Sequence, residues 1–230
     1  MTILGIDTCS SICGAAIVKD GKLIGNFSIN IPNLHDGKLM GIISDLFDAC
    51  SITIDDIDGY AVAVGPGSFT GIRIGMSIVK GLAAAKDKPI AGVTALDALA
   101  NNGLPSLRIS KIKNICPVID AKRDEAYFAL YEFNLALNRI SGYDCKTITE
   151  ILSLAPKGTL FVGDAGDKIK NLNVSDEYIF ADGGINRNDP GMIALLGYEK
   201  LSAGLYDDID SLEPLYLKDF KPVTKNKGEL

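Results

Sequence analysis

The sequence predicts an α/β protein built twice on one plan, and three observations carry that expectation. A short apolar strand, Thr2 to Asp7, ends on a carboxylate, turns through Thr8-Cys9-Ser10-Ser11 and returns as Cys13 to Val18. The order comes back in the second half of the chain: Ile115 to Ile119 form a strand, Asp120 ends it, Ala121 to Glu125 turn, and Ala126 to Phe133 return. Between the two units lies a glycine-dense elbow, Val64-Gly65-Pro66-Gly67-Ser68-Phe69-Thr70-Gly71-Ile72-Arg73-Ile74-Gly75. It joins a buried strand, Tyr60 to Val64, to a helix running from Gly71 to about Ala85.

Composition narrows the class. A chain of 230 residues, 47% of them hydrophobic, can bury a substantial core as one large or two small domains. Its longest stretch without a charge, Gly59 to Ile72, is too short to span a bilayer. No basic leader precedes the first strand, so a cytoplasmic protein is expected. A net charge of −6 suits it poorly to hold an RNA backbone alone, and Lys111, Lys113, Lys122 and Arg123 read as a solvated face. The five cysteines, Cys9, Cys13, Cys50, Cys116 and Cys145, contain no CxxC pair and fit reduced thiols.

In chain order, Asp20-Gly21 is a hairpin turn leading to a third strand, Leu23 to Ile31, closed by Pro32-Asn33. A helix from about Asp36 to Cys50 places Leu39, Ile42, Ile43, Leu46, Phe47 and Cys50 at helical spacing. Ser68 or Thr70 is placed to cap the elbow helix. On that helix Ile72, Met76, Val79 and Ala83 form one apolar stripe, and Ile74, Ile78, Leu82 and Ala85 another. Two stripes imply burial on two sides: one against the sheet, one against a second helix or another protein. Gly71 and Gly75, one turn apart, leave a groove for a neighbouring backbone. Pro89 to Val93 is a strand, and Thr94 with Asp97 forms a capping box for a helix to about Asn101. Asn101-Asn102-Gly103-Leu104-Pro105 reads as the domain boundary. Thr147 to Glu150 starts a short helix, Leu160 to Val162 is a strand running into Gly163-Asp164-Ala165-Gly166, and Gly191 to Leu201 is a helix after Pro190. The expected division is a first lobe of residues 1–103 with about 207–222, a second lobe of 104–206, and a loose tail at 223–230. The segment from Leu212 to Phe220 is expected to return to the first lobe.

The candidate chemistry sits at the two strand ends. A duplicated strand, aspartate and hairpin is the skeleton of actin-like ATPases and sugar kinases, where the aspartate holds magnesium and the turn wraps phosphate. Asp7 and Asp120 occupy those places without the supporting glycines. The alternative is that both are strand-end carboxylates bonded to their own turns. The elbow matches neither a P-loop, nor a dinucleotide fingerprint, nor a nucleophile elbow. His35 is the one histidine. A metal helix of the HxxxH kind would put a second histidine at position 39, which is Leu39.

Together, Leu4-Gly5-Ile6-Asp7-Thr8, the His35 helix, the elbow with Lys80-Gly81-Leu82-Ala83, Asp120-Ala121-Lys122-Arg123 and Glu213-Pro214-Leu215-Tyr216 resemble the bacterial TsaB family, also called YeaZ. The resemblance spans nearly the whole chain and is weak from Leu135 to Ile185. It implies a two-lobed actin-like, sugar-kinase-type fold (ASKHA, ribonuclease H-like) and a role in making threonylcarbamoyladenosine at position 37 of tRNA. It implies a non-catalytic paralogue that pairs with a metal-holding TsaD-type transferase, with a TsaE-type ATPase as a further partner, tRNA met only through the complex, and a homodimer when alone. No catalytic residue, metal ligand or cofactor of the isolated chain is expected. ATP or ADP is expected only in the complex, with Asp7, Thr8 and Asp120 the candidate contacts. The expected pairing face comprises His35, Leu39, Ile42, Ile43, Leu46, Gly71, Arg73, Gly75, Met76 and Val79. The competing reading is an enzyme of the same fold, either metallopeptidase-like, as in the glycoprotease family, or a small-molecule kinase or ATPase.

Overall fold

The computed structural model describes residues 1–30, 37–109, 112–172, 174 and 176–218. Its first sheet consists of β1 (Thr2–Asp7), β2 (Ile12–Lys19), β3 (Lys22–Asn30), β4 (Gly59–Ala63) and β5 (Ile90–Val93), in the order β3-β2-β1-β4-β5. The second contains β6 (Asn114–Asp120), β7 (Glu125–Phe128), β8 (Tyr131–Asn134), β9 (Ala136–Arg139), β10 (Asp144–Thr147), β11 (Leu160–Val162) and β12 (Ile179–Phe180), with a main path β10-β7-β6-β11-β12. Each path has two antiparallel pairings followed by two parallel ones. The duplication legible in two hairpins therefore extends to five strands in each half. Every residue of β1 and all but the last of β2 are buried, as expected of central strands covered on both faces.

Helices α1 (Leu39–Cys50) and α2 (Phe69–Lys86) pack on one face of the first sheet. In the second half α4 (Ile148–Leu154) and α5 (Gly166–Lys170) take the corresponding places in the chain order. The remaining two helices are exchanged. α3 (Ala95–Ile109) leaves the first sheet and packs on β6 and β11, whereas α6 (Pro190–Ser202) leaves the second and packs across β1, β2 and β4.

This exchange alters the expected division. Residues 101–105 are the middle of α3 and not a linker, with Pro105 inside the helix. Gly103 carries turn chemistry in the sequence, but here it serves close approach: a Cβ on it would lie 2.2 Å from Ile115 and 3.1 Å from Val162. The return to the first sheet begins at Pro190, ahead of the expected position near 207, and Gly197 seats α6 against Ala61 in the same way. From there the chain bridges Asp207 to Ile90, donates the Leu215 amide to the Val64 carbonyl at 2.8 Å, and reaches the second sheet's turn at Lys218.

Other expectations shift locally. The strand expected from Ala126 to Phe133 is split into β7 and β8. Opposite the break lies Pro117 in β6, which has no N–H for the ladder, and Leu130 bonds instead to Ser141 and Ile140. Of the two proposed caps, Ser68 accepts the Gly71 amide. The Thr94 box is half formed: its hydroxyl takes the Asp97 amide, and the Asp97 carboxylate turns to Tyr131 and Tyr143, both at 2.6 Å. His35, the helix start near Asp36, Phe220 and the tail lie outside the described residues.

Candidate functional site

The turn after β1, expected from the sequence to be a candidate phosphate contact, is packed against the backbone of the elbow. Alternation along β1 sends Asp7 to the α6 side and Thr8 to the α2 side of the sheet. Thr8 donates its hydroxyl to the Gly71 carbonyl at 2.6 Å, and the Cys9 carbonyl accepts the Ser68 amide at 2.7 Å. Contact is close enough that a Cβ on Gly67 would sit 2.1 Å from the Cys9 oxygen, one on Gly71 2.0 Å from the Thr8 oxygen, and one on Gly75 2.4 Å from the Thr8 hydroxyl. The groove expected at Gly71 and Gly75 is real, and the turn of the same lobe occupies it.

Asp7 is 0% exposed. Its carboxylate accepts the Cys9 amide at 2.8 Å and the Asn188 side-chain amide at 3.2 Å. Burial pushes its pKa up to about 6, against the pull of those two hydrogen bonds. Burial, helped by the charge of Asp7, also raises the neighbouring Cys9 thiol well above its ordinary range. Neither group is set up as an accessible ligand or nucleophile.

The matching turn in the second half is open and cationic. Asp120 accepts the Lys122 amide and the Lys168 ammonium, both at 2.6 Å, while its own amide donates to Asp164 at 2.8 Å. Burial acts to raise the Asp120 carboxyl, but the Lys168 hydrogen bond and charge outweigh it and hold the carboxyl below its usual range. Lys122 and Arg123 take left-handed conformations with φ of 70° and 56°. Without glycine that geometry costs about 1 kcal/mol per residue, and the Lys168 bond to the Arg123 carbonyl at 2.7 Å helps hold it.

The elbow and the second turn line a cleft of about 920 Å³ whose walls include Gly67, Phe69, Lys122, Arg123, Tyr127 and Tyr216. Lys218 pairs there with Glu125. On the outer wall the Arg73 guanidinium lies 3.7 Å from the Phe69 ring and donates to the Tyr216 hydroxyl at 2.9 Å, and the Phe69 and Tyr216 rings stack at 5.2 Å.

The expected pairing face divides in two. Leu39, Ile43, Leu46, Gly71, Gly75, Met76 and Val79 are buried inside the chain's own first lobe, so they form its core. Of the two stripes on α2, the one with Ile72 and Met76 covers the sheet. The outward one carries exposed Arg73 and half-buried Ile74, Ile78 and Leu82; among the apolar residues of α1, Met40 is exposed and Ile42, Phe47 and Cys50 are half-buried. Sequence reasoning missed Asn188 and Lys168, and gave Tyr216 no role beyond its place in the Glu213-Pro214-Leu215-Tyr216 motif. Each reaches its partner across a wide sequence separation with no local pattern, whereas Asp164 was marked by the Gly-Asp-Ala-Gly run. Among the described residues no three His, Cys, Asp or Glu side chains converge as metal ligands, and no helix is long and apolar enough to cross a membrane.

A five-strand plan repeated in two lobes, with an aspartate ending the first strand of each and the terminal helices exchanged, defines the duplicated actin-like, sugar-kinase-type class. Solved structures agree. YeaZ from Pseudomonas aeruginosa superposes with a TM-score of 0.77 at 22% identity, covering 94% of this chain and 100% of that one. Component A of (R)-2-hydroxyglutaryl-CoA dehydratase from Acidaminococcus fermentans superposes with a TM-score of 0.52 at 10% identity, over 88% and 99% of the two chains. Both support the fold. Among curated proteins, the Bacillus subtilis tRNA threonylcarbamoyladenosine biosynthesis protein TsaB is 30% identical over 95% of this chain and 94% of its own length. The Escherichia coli protein of the same name is 33% identical over 57% of this chain and 55% of its own. The sequence profile of TsaD, the tRNA N6-adenosine threonylcarbamoyltransferase, matches residues 30–184. The chain belongs to the TsaB family, and the TsaD profile marks its kinship with the transferase.

Proposed function

We propose that this chain is a non-catalytic subunit for threonylcarbamoyladenosine synthesis on tRNA and acts by pairing with a TsaD-type transferase. The observation that carries the reading is the closed start of the turn after β1: Asp7 is fully buried, and the elbow backbone lies against Thr8 and Cys9. An enzyme of this fold would need that aspartate accessible to a metal-bound phosphate. Two further points support pairing. The TsaD profile reaches across much of this chain, so a TsaD-type subunit carries a related pair of helices and can match the outward faces of α1 and α2 across a near two-fold axis. The outward stripe of α2, with Ile74, Ile78 and Leu82, is the apolar surface such a pairing would cover. A homodimer of the isolated chain would use the same face and would compete with the transferase. TsaE-type ATPase and tRNA then join through the complex.

The test is to mix the chain with a purified TsaD-type subunit and measure complex mass, in parallel with threonylcarbamoyl transfer by each protein alone and by the pair with its accessory factors. The reading expects a discrete complex, no transfer by this chain alone, and loss of complex on Ile74→Glu, a half-exposed position whose variant should still fold. Transfer or peptide cleavage by the isolated chain would overturn it.

A further inference from the structure

We propose that docking of the transferase on α2 and seating of the segment 212–218 across the inter-lobe cleft are coupled, with Arg73 as the shared part; this rests on the pairing surface argued above. Arg73 lines a shallow groove on the outward side of α2 together with Phe69, Thr70, Ile74, Ser77 and Ile78. The same guanidinium covers the Phe69 ring at 3.7 Å and holds the Tyr216 hydroxyl at 2.9 Å. Tyr216 lines the cleft and not the groove. It belongs to the segment that crosses both lobes. One residue before it, the Leu215 amide is bonded to Val64 of the first lobe; two residues after it, Lys218 is bonded to Glu125 and to the Ala121 carbonyl of the second. A continuous set of contacts therefore runs from the outward face of α2, through one arginine, to the strap that spans the cleft.

The physical consequence follows from desolvation. In the free chain Arg73 is exposed, so a released Tyr216 costs little because water replaces the hydroxyl. A partner seated in the groove removes that water. Among the described residues the guanidinium then has Tyr216 and Phe69 for contacts, and releasing the strap removes one of them from a charge that water no longer reaches. Docking thus favours the seated strap, and by linkage a seated strap, which already orders Arg73, favours docking. The two-state element is the segment 212–218, held across the cleft or released from it.

Two variants separate this coupling from direct contact. Tyr216→Ala removes ring and hydroxyl, while Tyr216→Phe keeps the ring and removes only the bond to Arg73; neither alters a side chain of the groove. Affinity for the purified TsaD-type subunit is measured by titration calorimetry, and amide hydrogen exchange over 212–218 is followed in the free chain and the complex. The coupling predicts that the complex slows exchange of the Leu215 amide by about tenfold, and that Tyr216→Ala weakens binding by about tenfold with Tyr216→Phe between it and the native chain. Binding of both variants within about twofold of native, or exchange over 212–218 unchanged by the partner, would overturn the coupling and leave the pairing standing. Failure of the native chain to bind at all would overturn both.

Discussion

The turn after β1 and the turn after β6 occupy the same place in two copies of one sheet, and the chain treats them in opposite ways. In the first, a carboxylate is fully buried, bonded to the Cys9 and Asn188 amides, and pushed up to about pKa 6 by burial. In the second, a partly exposed carboxylate is paired with Lys168 and held below its ordinary range. Topology therefore does not decide how such a turn is covered. The neighbour does: in the first lobe the elbow closes over Thr8 and Cys9, and in the second Asp164 holds the Asp120 amide while Lys122 and Arg123 line the cleft.

Substitutions that break the comparison should differ in size and sign. The largest effect is expected at Gly71. Glycine to alanine inside a helix ordinarily stabilises, but here the added Cβ meets the Thr8 carbonyl at 2.0 Å, so Gly71→Ala should cost about 3 kcal/mol or more in chemical denaturation. Gly81, in the same helix with nothing within 4 Å of its would-be Cβ, is the control: Gly81→Ala should stabilise by about 0.5–1 kcal/mol.

Next in size is Asp7. Because its folded pKa lies above the unfolded value of 3.8, its contribution to stability is fully present below pH 4 and lost as pH rises through about 6. The loss amounts to about 3 kcal/mol at 1.36 kcal/mol per unit. Asp7→Asn, which can keep the bond from the Cys9 amide, should be more stable than the native chain at pH 7–8 and lack the decline between pH 4 and 6. Equal stability of the two proteins at neutral pH would show that the first turn is wetter than described.

Lys168 gives the smaller counterpart with the opposite pH window. Asp120 is depressed, so its pairing stabilises above the ordinary carboxylate range and fades as pH falls through the folded pKa. Both side chains are partly exposed, so Lys168→Met should cost about 1 kcal/mol or less at pH 7, and that cost should shrink as pH falls through the folded pKa of Asp120 to the part due to the Arg123 carbonyl, in the same denaturation series.

The difference between the turns also explains what could be read from the sequence. Strand ends at Asp7 and Asp120, the elbow and the helix caps are local and were legible as patterns. The identity of the buried stripe on α2 was not, because Ile72-Met76-Val79 and Ile74-Ile78-Leu82 are equally apolar and only the position of the Thr8 turn decides between them. Gly103 and Pro105 spelled a linker, and the tight fit of α3 on Ile115 and Val162 overrode that spelling. The contact that finishes the first site, Asn188 to Asp7, joins residues far apart in the chain through the exchange of α6, and no local pattern could have announced it.

The most direct measurement of the closed first turn is the titration of the Asp7 carboxyl carbon by NMR, with Asp7→Asn used for assignment and the series repeated with magnesium and ATP present. A closed turn predicts a midpoint near pH 6, as burial sets it, unmoved by magnesium nucleotide. A midpoint near the ordinary aspartate value would mean that the turn is open to solvent, and one displaced when magnesium and ATP are added that it still meets ligand; either would contradict the account of this chain as a pairing subunit with a closed first turn.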